Sequence, residues 1–416
     1  LAGSVIPLDE ARGFVLSTLR PLPAIELSLE DALGCVVSEE IVAKESVPGF
    51  ANSSMDGYAL RSLDTQAAPV RLEVVGSVMA GDVSPVRVEE GQAVRIMTGA
   101  PVPDGADSVC MVEETTVESD GLAVMISRPI TLGEFIRRPG SDVAAGQVLV
   151  EAGDELGPAH LGVLAGQGVG SLSVHPRPRV GVLSTGNELA ATLDELSAGK
   201  IHDANRPVLL ALLRQSGFDP VDLGIARDDV AAITEKFERG VRDCDAVLST
   251  GGVSVGDVDF VKAVISDLCS GRARSMQVAI KPGKPFTFGT TGAKGTPLFG
   301  LAGNPVSTIV GFELFVRPAL RALAGHRASL HPTITMVLDC ALPRSRDGKL
   351  HLVHVASAFQ HDGRIHVERA VAMGSHLLSA AAGANAIAMV PDGDGLEAGA
   401  TVQGLLLGPA LLEERS

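Results

Sequence analysis

The sequence predicts a multidomain chain of the α/β plus β class, and three observations carry that prediction. Its 416 residues exceed what one core organises, so two to four domains are expected. Between 177 and 326 short apolar runs alternate with helical stretches, the pattern of a parallel-rich sheet with flanking helices. On either side the chain breaks into short β-prone runs, and 47 Gly with 24 Pro imply many tight turns.

Taken in order, residues 8–20 read as a short amphipathic helix that ends before Pro21 and Pro23. Residues 24–45 read as a strand followed by a second helix or an extended connection. The runs 70–75, 92–97, 108–113 and 123–126 make 46–145 a β-rich module. Residues 146–176 are extended and turn-rich, and are grouped with 1–45 as a helix and extended linking domain. The Pro-rich break at 175–178 opens the α/β domain. Its strands are expected at 179–184, 221–225, 246–250, 278–280 and 297–302, and its helices at 205–217, 228–239, 258–268 and 304–324. Asn205 and Asn304 stand where N-caps belong, each with a proline in the first turn. Residues 327–416 carry strands at 333–338, 350–356, 364–367 and 386–390, a small β-barrel or sandwich.

Composition excludes several classes. A net charge of −16 argues against general nucleic-acid binding, and the absence of Trp with one Tyr argues against base-stacking surfaces. Against that background, 271–325 holds seven basic residues and one acid, a local patch of +6 suited to an anion. Five scattered cysteines with no Cys-x-x-Cys pair fit reduced thiols rather than disulfides or a thiolate zinc site. Mean hydropathy is +0.27, but Gly, Ser and Pro interrupt every charge-free run, so no membrane span is expected. The first ten residues lack a secretion-signal layout, and a cytoplasmic location is expected.

Four loops follow strand ends in the α/β domain: 184–188, 249–257, 281–285 and 303–307. Their glycines let backbone N–H groups approach a ligand, helix N-termini favour an anion, and Lys281 and Lys284 add full charges. Each loop alone is no more than a turn; together they point to an anion pocket. Among the acids, Asp228 reads first as an N-cap, and Asp257 and Asp259 are explained by the dipole of the helix they open. Glu188 and Asp142 have no such role. Carboxylates beside an anion pocket fit a divalent metal bridging to phosphate oxygens.

The segments PGFANSSMDGYAL (48–60), RIMTGAPVPDGAD (95–107), RRPGSD (137–142), LSTGNEL (183–189), IHDANR (201–206), LSTGGVSVGDVDF (248–260), AIKPGKPFTFG (279–289), GLAGNPVS (300–307) and GSH (374–376) resemble those of the MoeA family. That family holds the bacterial molybdenumtransferases, the plant molybdenum insertase domain and the E domain of gephyrin. The resemblance runs over essentially the whole chain.

It implies four domains, with a C-terminal β-barrel, in an elongated homodimer. The α/β region would be a molybdopterin-binding domain, and the active cleft would lie between it and the β module of the other subunit. The implied reaction inserts molybdate into adenylylated molybdopterin with release of AMP, assisted by Mg²⁺ or Zn²⁺. By motif position the implicated catalytic residues are Asp56, Thr98, Asp142, Glu188, Asp228, Asp259 and Lys281. Ser249, Gly251, Gly252, Ser254, Lys281, Lys284, Asn304, Ser307 and Ser375 would hold substrate, and Glu188, Asp228 and Asp259 the metal. Transient contacts with molybdopterin adenylyltransferase and apo-molybdoenzymes follow from the same resemblance.

Two departures stand out. Gln277 occupies a position where the family often has a second lysine, and Ala51 one where it often has an acid. Gln277 keeps open a paralogue that handles tungstate or a related pterin. A gephyrin-like scaffold is the alternative from another class.

Overall fold

A computed structural model describes residues 5–82, 85–190, 196–252, 259–369 and 378–407. Its centre is a seven-stranded sheet ordered Val5–Ile6, Arg274–Val278, Pro285–Thr291, Thr296–Leu301, Ala246–Thr250, Arg179–Thr185, Asp219–Ala226. The last four strands are mutually parallel, and Pro285–Thr291 runs antiparallel to both its neighbours. Ala246–Thr250 is buried along its whole length, because helices cover both faces and an unbroken apolar run is what such a strand requires. Leu8–Thr18, Asn205–Gln215 and the helical run from Pro305 to Leu323 cover one face; Val230–Asp243 and Phe260–Leu268 cover the other.

Three departures from the sequence expectation have local causes. Val5–Ile6 pairs with Gln277 and Val278, and Ala11, Val15 and Leu19 enter the α/β core. The first strand and helix therefore pack with the α/β sheet rather than with residues 25–45. The expected strand 278–280 is split: Val278 ends a strand of the sheet, whereas Ile280–Lys281 pairs with Leu350 and His351 of the C-terminal region. Pro285–Thr291 is a full sheet strand despite its opening proline.

Residues 25–45 form no helix. Ile25–Ser28 and Val36–Val37 flank Ser171–His175, and Ile41–Val42 pairs with Val148–Val150. A helix the sequence reading lacked, Pro158–Gly166, closes this unit; Pro158 opens it, and His160 Nδ1 accepts from the Gly157 N–H at 3.0 Å. The β module is a six-stranded sheet in which Gly57–Leu60 lies between Gln92–Ile96 and Ser108–Met111. In the C-terminal region Leu350–Phe359, Ile365–Arg369, Ile334–Leu338, Thr401–Leu406 and Ala386–Val390 close on themselves as a five-stranded barrel. Leu352, Ile387 and Leu405 of that barrel join the α/β core, so the two regions share apolar packing.

Candidate active site

Thr185, Thr250 and Leu301 end adjacent parallel strands, so the loops that follow converge at the carboxyl edge of the sheet. With residues 281–285 and the barrel strand Leu350–Phe359 they enclose a cleft of about 1010 Å³. Glu188, Gly251, Gly252, Lys281, Lys284, Asn304 and Ser307 line it, so seven of the expected site residues converge there.

Close backbone packing sets this edge. At Gly251, with φ +93°, a Cβ would lie 2.3 Å from the Thr185 carbonyl oxygen. Gly186 similarly leaves room for Glu188, whose carboxylate oxygens would both be 2.6 Å from a Cβ there. Asn205 corrects an expectation. Ala204 takes the cap position, and the Asn205 side-chain amide crosses to donate to Thr250 Oγ1 (2.9 Å) and the Gly303 carbonyl (2.6 Å). The Arg206 N–H is satisfied by Asp203 Oδ1, which also accepts from Ser184 Oγ. Asn304 does occupy its cap position, with no side-chain capping bond. Among the described residues Thr185 Oγ1, Asn205 Oδ1 and His354 Nε2 are buried without partners, and all three belong to cleft-lining residues. Unpaired buried polar atoms are costly, and their collection here is what a ligand site leaves. Burial pushes the His354 imidazole down to about 4.

Other expected residues stand elsewhere. Ser249 is buried in its strand, where its hydroxyl donates to the Phe299 carbonyl, so it holds two strands together rather than a substrate. Asp229, not Asp228, caps Val230–Asp243. Asp228 instead exchanges hydrogen bonds with Asn187, its Oδ2 accepting from that N–H at 3.1 Å. Asp259 caps Phe260–Leu268 by accepting from the Lys262 N–H at 3.0 Å, and desolvation raises its pKa against that bond. Asp56 and Thr98 meet in the β module: the carboxylate accepts from the Thr98 N–H and hydroxyl, which lowers its pKa. The Asp142 N–H donates to Val47 in the same region. None of Asp56, Thr98 and Asp142 lines the cleft. Among the described residues no three His, Cys, Asp or Glu side chains form a metal-holding group, so Glu188, Asp228 and Asp259 are not one ligand set. Ser254 and Ser375 lie outside the described residues.

Residues 6–168 match the model of the MoeA N-terminal region (domain I and II), 181–322 that of a probable molybdopterin binding domain, and 339–407 that of the MoeA C-terminal region (domain IV). The molybdopterin molybdenumtransferase of Haemophilus influenzae is 36% identical over 400 residues, spanning 96% of this chain and 98% of its own. The chain belongs to the MoeA family. A second relative, molybdopterin molybdenumtransferase 2 of Mycobacterium tuberculosis, is 39% identical over 347 residues, 82% of this chain and 85% of its own. The crystal structure of a molybdopterin biosynthesis MoeA protein from Pyrococcus horikoshii matches with a TM-score of 0.81 at 28% identity, covering 97% of this chain and 100% of that one. This is a family of transferases in molybdenum cofactor biosynthesis.

Within that family frame, Gln277 pairs with Val5 and Pro285 and does not line the cleft. Nothing in the structure explains Ala51. Sequence reasoning missed Asn205 as a clamp between two loops, and missed His351 and His354, which line the cleft from the barrel. Asn205 lay inside a family-like segment and could have been flagged as chemistry. The two histidines reach the cleft through pairing with a distant part of the chain, for which no local pattern exists.

Proposed function

We propose that this cleft binds adenylylated molybdopterin and molybdate, transfers the oxyanion to the pterin dithiolene, and releases AMP. The observation that carries the reading is Lys281 and Lys284 beside Gly-rich loops at the carboxyl ends of parallel strands, in a cleft of about 1010 Å³. Cations and aligned N–H groups suit a phosphoanhydride and an oxyanion, and the chemistry then rests on positioning and charge neutralisation. Lys281, Lys284 and Ser307, with Ser254 and Ser375, take the phosphate and molybdate oxygens; Gly251, Gly252 and Asn304 shape the floor.

Glu188 reaches the cleft and Asp228 is bonded to the same loop. That suits Mg²⁺, which takes one or two carboxylates together with substrate phosphates and water. A divalent ion held by Glu188 and Asp228, Mg²⁺ or Zn²⁺, would neutralise charge on the anhydride. Asp259, at the start of the helix Phe260–Leu268, would act as an acid, since its desolvation leaves it protonated more readily than an exposed carboxylate. Asp56, Thr98 and Asp142 complete the cleft from a second copy of the chain, in a homodimer working in the cytoplasm. Adenylyltransferase and apo-molybdoenzymes are its transient partners. Gln277 stands outside the cleft lining, which favours the molybdate reading over a tungstate-handling paralogue.

The test is AMP release and cofactor formation from adenylylated molybdopterin with Mg²⁺, with and without molybdate. Molybdate-dependent formation of active cofactor supports the reading; no binding of the pterin sinks it. Mixing Asp56→Asn with Lys281→Ala subunits tests the shared cleft. At limiting pterin each variant alone should be strongly impaired and the mixture clearly more active than either, whereas a mixture no better than its components removes the second copy from the site.

A further inference from the structure

The wall facing the Gly-rich loops carries a proton-handling group that this reaction has not yet used. Lys281 and His351 are register partners in the parallel pairing of Ile280–Lys281 with Leu350–Phe359. Partners in such a ladder point to the same face of the sheet, and both residues line the cleft. The imidazole is held in place: His351 Nε2 lies 3.1 Å from Asp347 Oδ2. A carboxylate only accepts, so Nε2 carries the hydrogen and Nδ1 keeps the exchangeable position. Nδ1 has no partner among the described residues.

The orienting carboxylate is itself anchored. Arg344 Nη2 donates to Asp347 Oδ1 and to Asp392 Oδ1, both at 2.7 Å, and the Asp347 N–H donates to Asp392 at 3.1 Å. Only 2% of the Arg344 side chain is exposed, against the solvent-facing arginine of an ordinary surface ion pair. Among the described residues the charged groups around His351 are Asp347, Lys349, Arg344 and Asp392 in the C-terminal region and Lys281 on the adjoining strand.

We propose that His351, oriented by Asp347, delivers a proton to the oxygen that molybdate loses on insertion. This rests on the reading under Proposed function. Two Mo–S bonds form from the pterin dithiolate and one Mo–O bond breaks. Molybdenum stays hexavalent, and the departing oxygen takes up two protons and leaves as water. Protonated Nδ1 gives one of them and solvent the other; solvent then reprotonates the ring. Lys281, on the same face, holds the oxyanion beside the donor. Asp347 and Arg344 are positioning residues.

The test compares wild type, His351→Gln and His351→Ala for molybdate incorporation into adenylylated molybdopterin. Glutamine retains an N–H for Asp347 but cannot titrate. The expected result is a kcat loss of about 10²-fold or more, within the range for a general acid, with KM for molybdate and pterin affinity unchanged. The alkaline limb of the pH–rate profile, where a general acid has lost its proton, should disappear in His351→Gln, and added imidazole should restore His351→Ala. Wild-type kcat in His351→Gln, a defect confined to KM, or absence of imidazole rescue would overturn the proposal alone. A wild-type protein that inserts no molybdate would overturn the proposed function and this step with it.

Discussion

Gly251→Ala separates close backbone approach from backbone strain at the cleft. With φ at +93°, alanine is disfavoured there by about 1–2 kcal/mol, the left-handed penalty of an L-residue. Gly292→Ala carries the same kind of penalty at φ +69°, but a Cβ there meets nothing within 4 Å. At Gly251 the Cβ lies 2.3 Å from the Thr185 carbonyl, where ordinary contact begins near 3.4 Å. The neighbour is backbone at the end of a central strand and does not yield. The 251–252 loop must therefore move by about 1 Å, a displacement that costs about 10²-fold at a positioning site. The rate of molybdate insertion and the urea midpoint, measured on both variants, separate the terms. Both should lose about 1–2 kcal/mol of stability from φ; only Gly251→Ala should slow insertion, by about 10²-fold or about 2.7 kcal/mol in the barrier. Equal insertion rates in the two variants would refute the argument that contact with Thr185 sets the loop.

Lys281→Ala should weaken pterin binding by about 1.5–3 kcal/mol, the scale of a charge-assisted hydrogen bond, and an unchanged titration would remove Lys281 from the site. Asp259→Asn should lose insertion yet keep its unfolding midpoint, because asparagine caps as well as aspartate; an active variant would leave Asp259 as a cap alone. Glu313, 1% exposed, is pushed up to about 7 by desolvation, with Arg317 pulling against it. Its folded pKa exceeds the usual 4.5, so the stability from protonation is present at low pH and lost as pH rises through 7. The advantage of Glu313→Gln over wild type should grow by about 3 kcal/mol between pH 4 and pH 8; a pH-independent difference in urea unfolding would contradict it.

Legibility followed locality. Ala246–Thr250, Ala123–Ile126 and Ala386–Val390 were readable to the residue, since each is an apolar run that loops bound on both sides. Pro285–Thr291 was hidden because a strand opening on proline reads as loop until an antiparallel neighbour is in view. Pro158–Gly166 was hidden by its glycines. The adjacent acids Asp228 and Asp229 were equivalent by propensity, and only the Ala232 N–H decided which of them caps. The Gly-rich loops pointed to a pocket only together, because a single glycine after a strand is most often a turn. Asn205 looked like a cap because sequence cannot see Thr250 and Gly303 across from it.

The position of Lys281 shows why the least local part of the site matters most. The lysine follows Ile280 out of the α/β sheet and onto the barrel, where its pairing with His351 fixes the direction of its side chain. The barrel in turn is seated on the α/β domain by Leu352, Ile387 and Leu405 in a shared core. Nothing in a Lys-Pro-Gly-Lys-Pro segment specifies that geometry; by itself it is a flexible loop with two charges. Pairing with the barrel anchors the backbone at Lys281 beside the cleft, and on the proposed function a charge placed there would stabilise a developing anion with less reorganisation during the reaction. The C-terminal region therefore acts on the cleft through two routes, the register that aims Lys281 and the wall that presents His351, and both run through one strand, Leu350–Phe359.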